Sequence, residues 1–310
     1  MTVAILCSGQ GRQHADMFAL TGEAPAASTL FVHAQTLLGG ADPRRLVREA
    51  SSETIHSNRC GQIVCSLQAL AAVEILRPSL PSQVVFAGYS VGEVASWGAA
   101  GVFGNLITLD LVARRSDIMD AESAPGDGLL FIRGLSREAI DGLCANHDAA
   151  IAIINPDDAY IVGGTRQSLQ SVIHEAGRLH PSRITLLQVM VASHTKLLSQ
   201  AAAKFGTVLN STPATFPLKA GIRLLSGIDG ASVLDVELGI AKLARQISQT
   251  VNWGSCLQSC VEAGATCFLE LGPGDALSKM ARDAYSDIPS RSLDDFRSMA
   301  GAQAWIASHA

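Results

Sequence analysis

Gly88-Tyr89-Ser90-Val91-Gly92 has glycines two residues either side of a serine. It follows the apolar run Val84-Val85-Phe86-Ala87 and precedes an alanine-rich segment with helical spacing. That is the pattern of a sharp strand-to-helix turn that lifts a serine hydroxyl above a sheet, the glycines removing side chains that would clash there. The helix N-terminus beneath the serine favours negative charge. The N–H of Val91 then becomes an oxyanion donor. A structural turn is the plainer reading of the same five residues. A serine nucleophile needs a base within hydrogen-bond reach. Of eight histidines, His14, His33, His56, His147, His174, His180 and His309 lie in polar or terminal surroundings and read as solvated. His194 follows the apolar Val191-Ala192, where a loop at the mouth of a sheet is expected. By position alone it reads equally well as a structural histidine.

The elements that must position these groups alternate. Val3–Leu6 reads as a strand, Gln62–Ile75 as a long buried helix, Val84–Ala87 as a strand and Leu106–Met119 as a helix. This rhythm predicts an α/β fold with a parallel sheet. The middle of the chain differs. Gly128–Gly134, Ser136–Asn146, Ala150–Ile154, Tyr160–Val162, Gln167–Leu179 and Ile184–Val191 read as β-α-β-β-α-β, the order of a ferredoxin-like unit. We expect a small subdomain over 127–192 inserted into a discontinuous large domain over 1–126 and 193–310. Lys196–Phe205 and Ile240–Ile247 are expected as helices, Thr266–Leu271 as a strand, and Gly22–Ser28 as a surface loop.

Bulk properties narrow the function classes. The 310 residues are 48% apolar and 16% charged, enough for a substantial core. The net charge of −5 argues against nonspecific nucleic-acid binding. No apolar run is expected to span a membrane, and the opening Met1–Leu6 reads as a strand with no basic leader. The seven cysteines are irregularly spaced, which predicts buried free thiols in a cytoplasmic protein with no metal site.

Four ordered motifs carry a resemblance. Gly88-Tyr89-Ser90-Val91-Gly92-Glu93 resembles the G-H-S-x-G-E elbow of the malonyl-CoA:acyl-carrier-protein transacylases, with Tyr89 in place of histidine. Ser8-Gly9-Gln10-Gly11-Arg12-Gln13 is similar to their P-G-Q-G-x-Q, with Ser8 in place of proline. Val191-Ala192-Ser193-His194 resembles their histidine segment, and Glu270-Leu271-Gly272-Pro273-Gly274 their E-x-G-P-G. Within that family the chain looks most like the epsilon subunit of malonate decarboxylase.

The resemblance implies a large hydrolase-like acyltransferase domain with the ferredoxin-like insert. It makes Ser90 the acyl-bearing nucleophile and His194 its base, with the N–H of Gln10 joining Val91 in the oxyanion hole. The carboxylate-binding arginine of the family lies 25 residues after the nucleophile, which is Arg115. Arg114 is adjacent, but neighbours on a helix point about 100° apart, so only one faces the pocket. Val251-Asn252-Trp253 looks like the segment whose carbonyl orients the histidine, which makes Asn252 the orienting residue. Gln62 and Asn155 fall where the family has polar pocket residues, and each reads equally as a structural amide. Malonyl-CoA is the implied substrate, with no permanently bound cofactor. An acyl-carrier protein is the implied partner, in particular the malonate decarboxylase carrier. The alternative acceptor is the fatty-acid-synthesis carrier. More distant alternatives are a serine esterase or thioesterase and a non-catalytic carrier-binding subunit.

Overall fold

The computed structural model describes residues 1–309. Ten strands form two five-stranded sheets. They are β1 (Thr2–Cys7), β2 (Gln83–Gly88), β3 (Gly128–Arg133), β4 (Ala150–Asn155), β5 (Ala159–Gly164), β6 (Arg183–Leu186), β7 (Ile222–Leu224), β8 (Val251–Asn252), β9 (Ala265–Leu271) and β10 (Ser290–Ser292). The first sheet has the order β10-β9-β1-β2-β7, with every pair parallel. Parallel strands buried on both faces read as continuous apolar runs, and Val3 to Cys7 are fully buried. The α/β class with a parallel sheet is therefore as expected.

The second sheet has the order β6-β3-β5-β4-β8. Its first four strands are antiparallel in the ferredoxin-like arrangement, with helices Arg137–Asn146 and Arg166–Gly177 in the two crossovers. β8 is the fifth strand. It pairs parallel to β4, Ile153 opposite Val251 and Ile154 opposite Asn252. It comes from outside 127–192 and ties the small sheet to the C-terminal part of the chain. The strand expected over 184–191 ends at Leu186; the chain then leaves the sheet and reaches His194 without regular structure.

Helix Asn58–Leu76 packs along the large sheet as a core element. With its short extension to Ser79 it matches a membrane span in length and apolarity, contrary to expectation, but 83% of that window is buried inside the protein. Within the loop expected over Gly22–Ser28, residues 25–27 form a short 3-10 turn, and a helix, Ser28–Leu37, begins at its last residue. All seven cysteines are free and buried.

The turn at Ser90 depends on two close approaches. A Cβ on Gly92 would lie 2.0 Å from the Cys7 carbonyl oxygen, and one on Gly88 would lie 2.2 Å from the backbone of Gly92 and Glu93. Both would set a Cβ against backbone atoms, so neither can be relieved by a rotamer change. We expect Gly92→Ala to destabilise the protein by at least about 1–3 kcal/mol, the usual cost of overpacking. A fall in Tm of about 2–5 °C or more in thermal circular dichroism checks this. An unchanged Tm would show that the sheet and helix can part without cost.

Candidate active site

β2 ends at Gly88 and helix Val91–Ala99 begins at Val91, leaving Ser90 at the turn with φ 56° and ψ −119°. A non-glycine residue held there marks a site where the surrounding fold sustains local strain. His194 is also left-handed, φ 63°. Its backbone N–H donates to the Ile247 carbonyl at 2.7 Å. The two side chains meet: Ser90 Oγ lies 2.8 Å from His194 Nε2. His194 Nδ1 lies 2.6 Å from the carbonyl oxygen of Gln246. A carbonyl only accepts, so Nδ1 carries the proton and Nε2 is left to accept from the serine. The pair is set for general-base activation of Ser90.

This corrects the expected place of Asn252. The orienting carbonyl belongs to Gln246, six residues earlier. The Asn252 side chain instead caps helix Trp253–Glu262, accepting from the Ser255 N–H at 3.1 Å. Its backbone N–H donates to Gly227. Both of these groups are committed to holding the chain, and neither reaches the histidine.

Burial dominates the charge state of His194. It is 1% exposed. Desolvation, then the nearby positive charge of Arg115, push its pKa down to about 3, against the raising effect of the Gln246 carbonyl. A base held neutral through the physiological range is always ready to take a proton, although the imidazolium it forms is costly there.

Val91 follows Ser90 directly, and Gly9, next to Gln10, lies against it: a Cβ on Gly9 would be 3.5 Å from Ser90 Cβ. Neither the Gln10 nor the Val91 backbone N–H has a hydrogen-bond acceptor among the described residues. That leaves both free for an oxyanion. The Gln10 loop is held from below. Ser8 Oγ donates to Glu270 Oε1 at 2.8 Å, and the Ser8 N–H donates to the Leu271 carbonyl at 3.1 Å. The other Glu270 oxygen accepts from the Ser278 N–H at 2.8 Å. Burial raises the Glu270 carboxyl to about 7 in spite of these donors. Gly9 passes under Tyr89, where a Cβ would lie 2.7 Å from the Tyr89 carbonyl oxygen. The Tyr89 ring meets the edge of Trp253 at 5.3 Å between centroids.

Arg115 projects from helix Asn105–Ala121 and is 1% exposed, while Arg114 faces solvent. Nη1 donates to Gln62 Oε1 at 2.6 Å and Nη2 to Gln246 Oε1 at 3.2 Å. Nε has no partner. Desolvation lowers the guanidinium to about 10, partly offset by the charge of Glu93. Gln62 completes its bonding by donating to Asn58 Oδ1 at 2.7 Å, so it sits in the Arg115 cluster. Asn155 is buried at the end of β4 with Oδ1 unpartnered. A cleft of about 450 Å³ opens beside His194, between residues 194–196, Ile228, Ala150 and the 248–250 loop.

Two residues with no assigned role turn out to be central. Gln246 gives its carbonyl to His194 and its side chain to three other groups. Nε2 donates to the Ser90 carbonyl at 2.9 Å and to Glu93 Oε2 at 2.7 Å, and Oε1 accepts from Arg115. Glu93 stood in the elbow motif as a residue type alone. No residue-type signal marks a main-chain carbonyl, so nothing in the sequence singles out Gln246.

Residues 5–300 match the acyl transferase domain family. With a serine–histidine dyad, two free N–H donors and that match over most of its length, the chain belongs to this family and is an acyltransferase. It is 27% identical over 302 residues to the malonyl CoA-acyl carrier protein transacylase of Mycobacterium bovis, covering 94% of this chain and 96% of that one. The acyl-carrier-protein S-malonyltransferase of Burkholderia pseudomallei superposes with a TM-score of 0.89 at 24% identity, covering 98% of this chain and 100% of that one. A malonyl-transacylase solved in complex with its type II PKS acyl-carrier protein gives 0.89 at 23%, covering 98% and 99%.

Two outcomes test this geometry. The folded pKa of His194 lies below its ordinary value of 6.5. The unfolded chain therefore binds the extra proton first, and stability is lost as pH falls from 6.5 towards 3. Urea midpoints should thus fall more steeply for the wild type than for His194→Gln as pH drops from 7 to 4.5. Parallel curves would mean that the histidine is not held neutral. Ser8→Ala leaves a buried carboxylate oxygen short of a donor, at a cost of about 1–3 kcal/mol. It should slow Ser90 acylation by different thioesters to a similar degree, because the loop it anchors carries the shared oxyanion donor. Rapid-quench mass spectrometry measures this; an unaltered rate would disconnect Ser8 from the Gln10 loop.

Proposed function

We propose that this acyltransferase moves a malonyl group from malonyl-CoA, through an ester on Ser90, to the thiol of an acyl-carrier protein. The observation that carries the reading is Arg115. It is a fully buried cation beside the dyad whose two Nη atoms end on neutral amides and whose Nε has no partner, and it makes no ion pair among the described residues. Such a group is costly unless an anion arrives to meet it. A guanidinium fork suits a carboxylate, which selects a dicarboxylic acyl group over acetyl.

The steps balance with the groups present. His194 Nε2 takes the Ser90 proton as Oγ attacks the thioester carbonyl. The N–H groups of Gln10 and Val91 hold the oxyanion; one such donor is typically worth about 2.7–4 kcal/mol of barrier. The C–S bond breaks, and the CoA sulfur leaves with the proton from His194. The carrier thiol then gives its proton to His194 and attacks the Ser90 ester. The Ser90 oxygen leaves with that proton, and malonyl now sits on the carrier. The substrate supplies the thioester, and in this reading no cofactor is bound permanently.

The names of the relatives support a carrier protein as acceptor, and they favour the fatty-acid or polyketide kind over the carrier of malonate decarboxylase. The decarboxylase carrier remains a second reading on one observation, Tyr89 standing where the family elbow has histidine. We place the reaction in the cytoplasm, where acyl-CoA and carrier thiols coexist.

Incubation with malonyl-CoA should add one malonyl mass to the wild type and none to Ser90→Ala. Label on a cysteine, or label persisting in Ser90→Ala, would overturn the assignment. Arg115→Ala should lose malonyl transfer at least about 100-fold more than acetyl transfer, the loss expected for a charge-assisted bidentate pair. Equal losses, or a selective loss in Arg114→Ala instead, would reject Arg115. Transfer rates to a phosphopantetheine carrier and to the decarboxylase carrier decide the acceptor.

A further inference from the structure

Arg115 poses a problem that its direct partners do not solve. A buried guanidinium needs a counter-charge, yet Gln62 and Gln246 offer only neutral oxygens. The carboxylate whose charge supports it is Glu93, 1% exposed, at the first turn of helix Val91–Ala99. Glu93 does not touch Arg115. The Gln246 side chain stands between them, with Nε2 toward Glu93 Oε2 at 2.7 Å and Oε1 toward Arg115 Nη2 at 3.2 Å.

We propose that Glu93 is a positioning residue for acyl selectivity: its carboxylate fixes which end of the Gln246 amide faces Arg115, and so keeps Arg115 charged, in place and free of a contacting anion. This rests on the reading of Arg115 as the acyl-carboxylate site.

The argument is one of donors and acceptors. An ionised carboxylate can only accept, so it draws the NH2 end of Gln246. The C=O end is then turned to Arg115, where a guanidinium can only donate. With the amide reversed, two sets of donors would face each other at Arg115. The carboxylate itself cannot turn away. It is packed against the Gly227 backbone, where a Cβ would lie 2.4 Å from Glu93 Oε2. The Gln246 amide is further held by donating to the Ser90 carbonyl at 2.9 Å. A direct Glu93–Arg115 pair would neutralise the cation and occupy its fork. The interposed amide transmits charge and orientation while leaving the guanidinium available to substrate.

The His194 link is separable. It uses the Gln246 main-chain carbonyl, and the Gln246 N–H is anchored to the Lys242 carbonyl at the end of helix Val236–Arg245. A change at Glu93 therefore reaches the Gln246 side chain before it reaches the base.

The test uses Glu93→Gln, which keeps the size and lets the amide face either way. It is run at pH 8, above the value of about 7 to which burial raises this carboxyl. Single-turnover acylation of Ser90 by malonyl-CoA and by acetyl-CoA is followed by intact mass. The malonyl-to-acetyl ratio of kcat/KM should fall at least tenfold, with the malonyl loss chiefly in KM. Glu93→Asp, which keeps the charge, should retain more of the ratio than Glu93→Gln. Equal losses for both acyl groups would indicate a merely structural role and overturn the proposal, as would an unchanged ratio. Should Glu93→Gln lack a cooperative melt, Gln246→Met provides the same reading. It removes the amide and keeps the carbonyl, and an unchanged ratio there rejects the idea equally. Arg115→Ala runs in parallel. An unchanged ratio in that variant refutes the carboxylate site itself. A fall there without one in Glu93→Gln refutes only the role of Glu93.

Discussion

The carbonyl of Gln246 can only accept a hydrogen bond, and the rest of the site is arranged around that restriction. It forces the proton of His194 onto Nδ1 and turns the lone pair of Nε2 to Ser90. No acidic third residue is then needed to fix the tautomer. A carboxylate there would stabilise the imidazolium more strongly, but would add a buried charge beside Arg115. With a neutral carbonyl, the positive charge of Arg115 is left for the substrate to answer. Gln246 also sits at the end of a helix, where the main chain is anchored on one side, so its position is set by the fold and not by its side chain.

The buried acids have contrasting tasks. Glu270 holds the chain: it gathers donors from Ser8 and from the start of helix Ala276–Ala284, and so places the Gln10 loop beside the elbow. Glu93 holds a side chain. Burial raises both carboxyls to about 7, so each works close to the point where it stops being an anion. Ser8, where the family motif has proline, exchanges ring stiffness for a hydrogen bond to Glu270.

Much of this was legible in the sequence, and the exceptions have physical causes. Ser90 and the elbow were legible because a Cβ at Gly88 or Gly92 would lie only 2.0–2.2 Å from neighbouring backbone, so only glycine fits and leaves a residue-type trace. The ferredoxin-like sheet was legible from alternating element order, since strand order follows from short connections. Helical geometry required that only one of Arg114 and Arg115 face the pocket; the family's 25-residue offset from the nucleophile picked Arg115. The Gln246 carbonyl left no trace, because every residue has one. Asn252 drew attention through its motif, yet its side chain does the common work of a helix cap. β8 was missed because two residues carry no periodicity; only its pairing with β4 defines it as a strand.

That short strand has a mechanical consequence. His194 takes both its backbone and its ring contacts from residues 246–247, which the loop 248–250 connects to β8 and so to the small sheet. Ser90 hangs from β2 of the large sheet. Nucleophile and base thus hang from different elements, 2.8 Å apart, and Gln246, which holds the base, is also bonded to the Ser90 carbonyl. A shift of residues 246–247 against β2 would change the gap and that contact together. The dyad is in effect a gauge of how this segment is seated on the elbow.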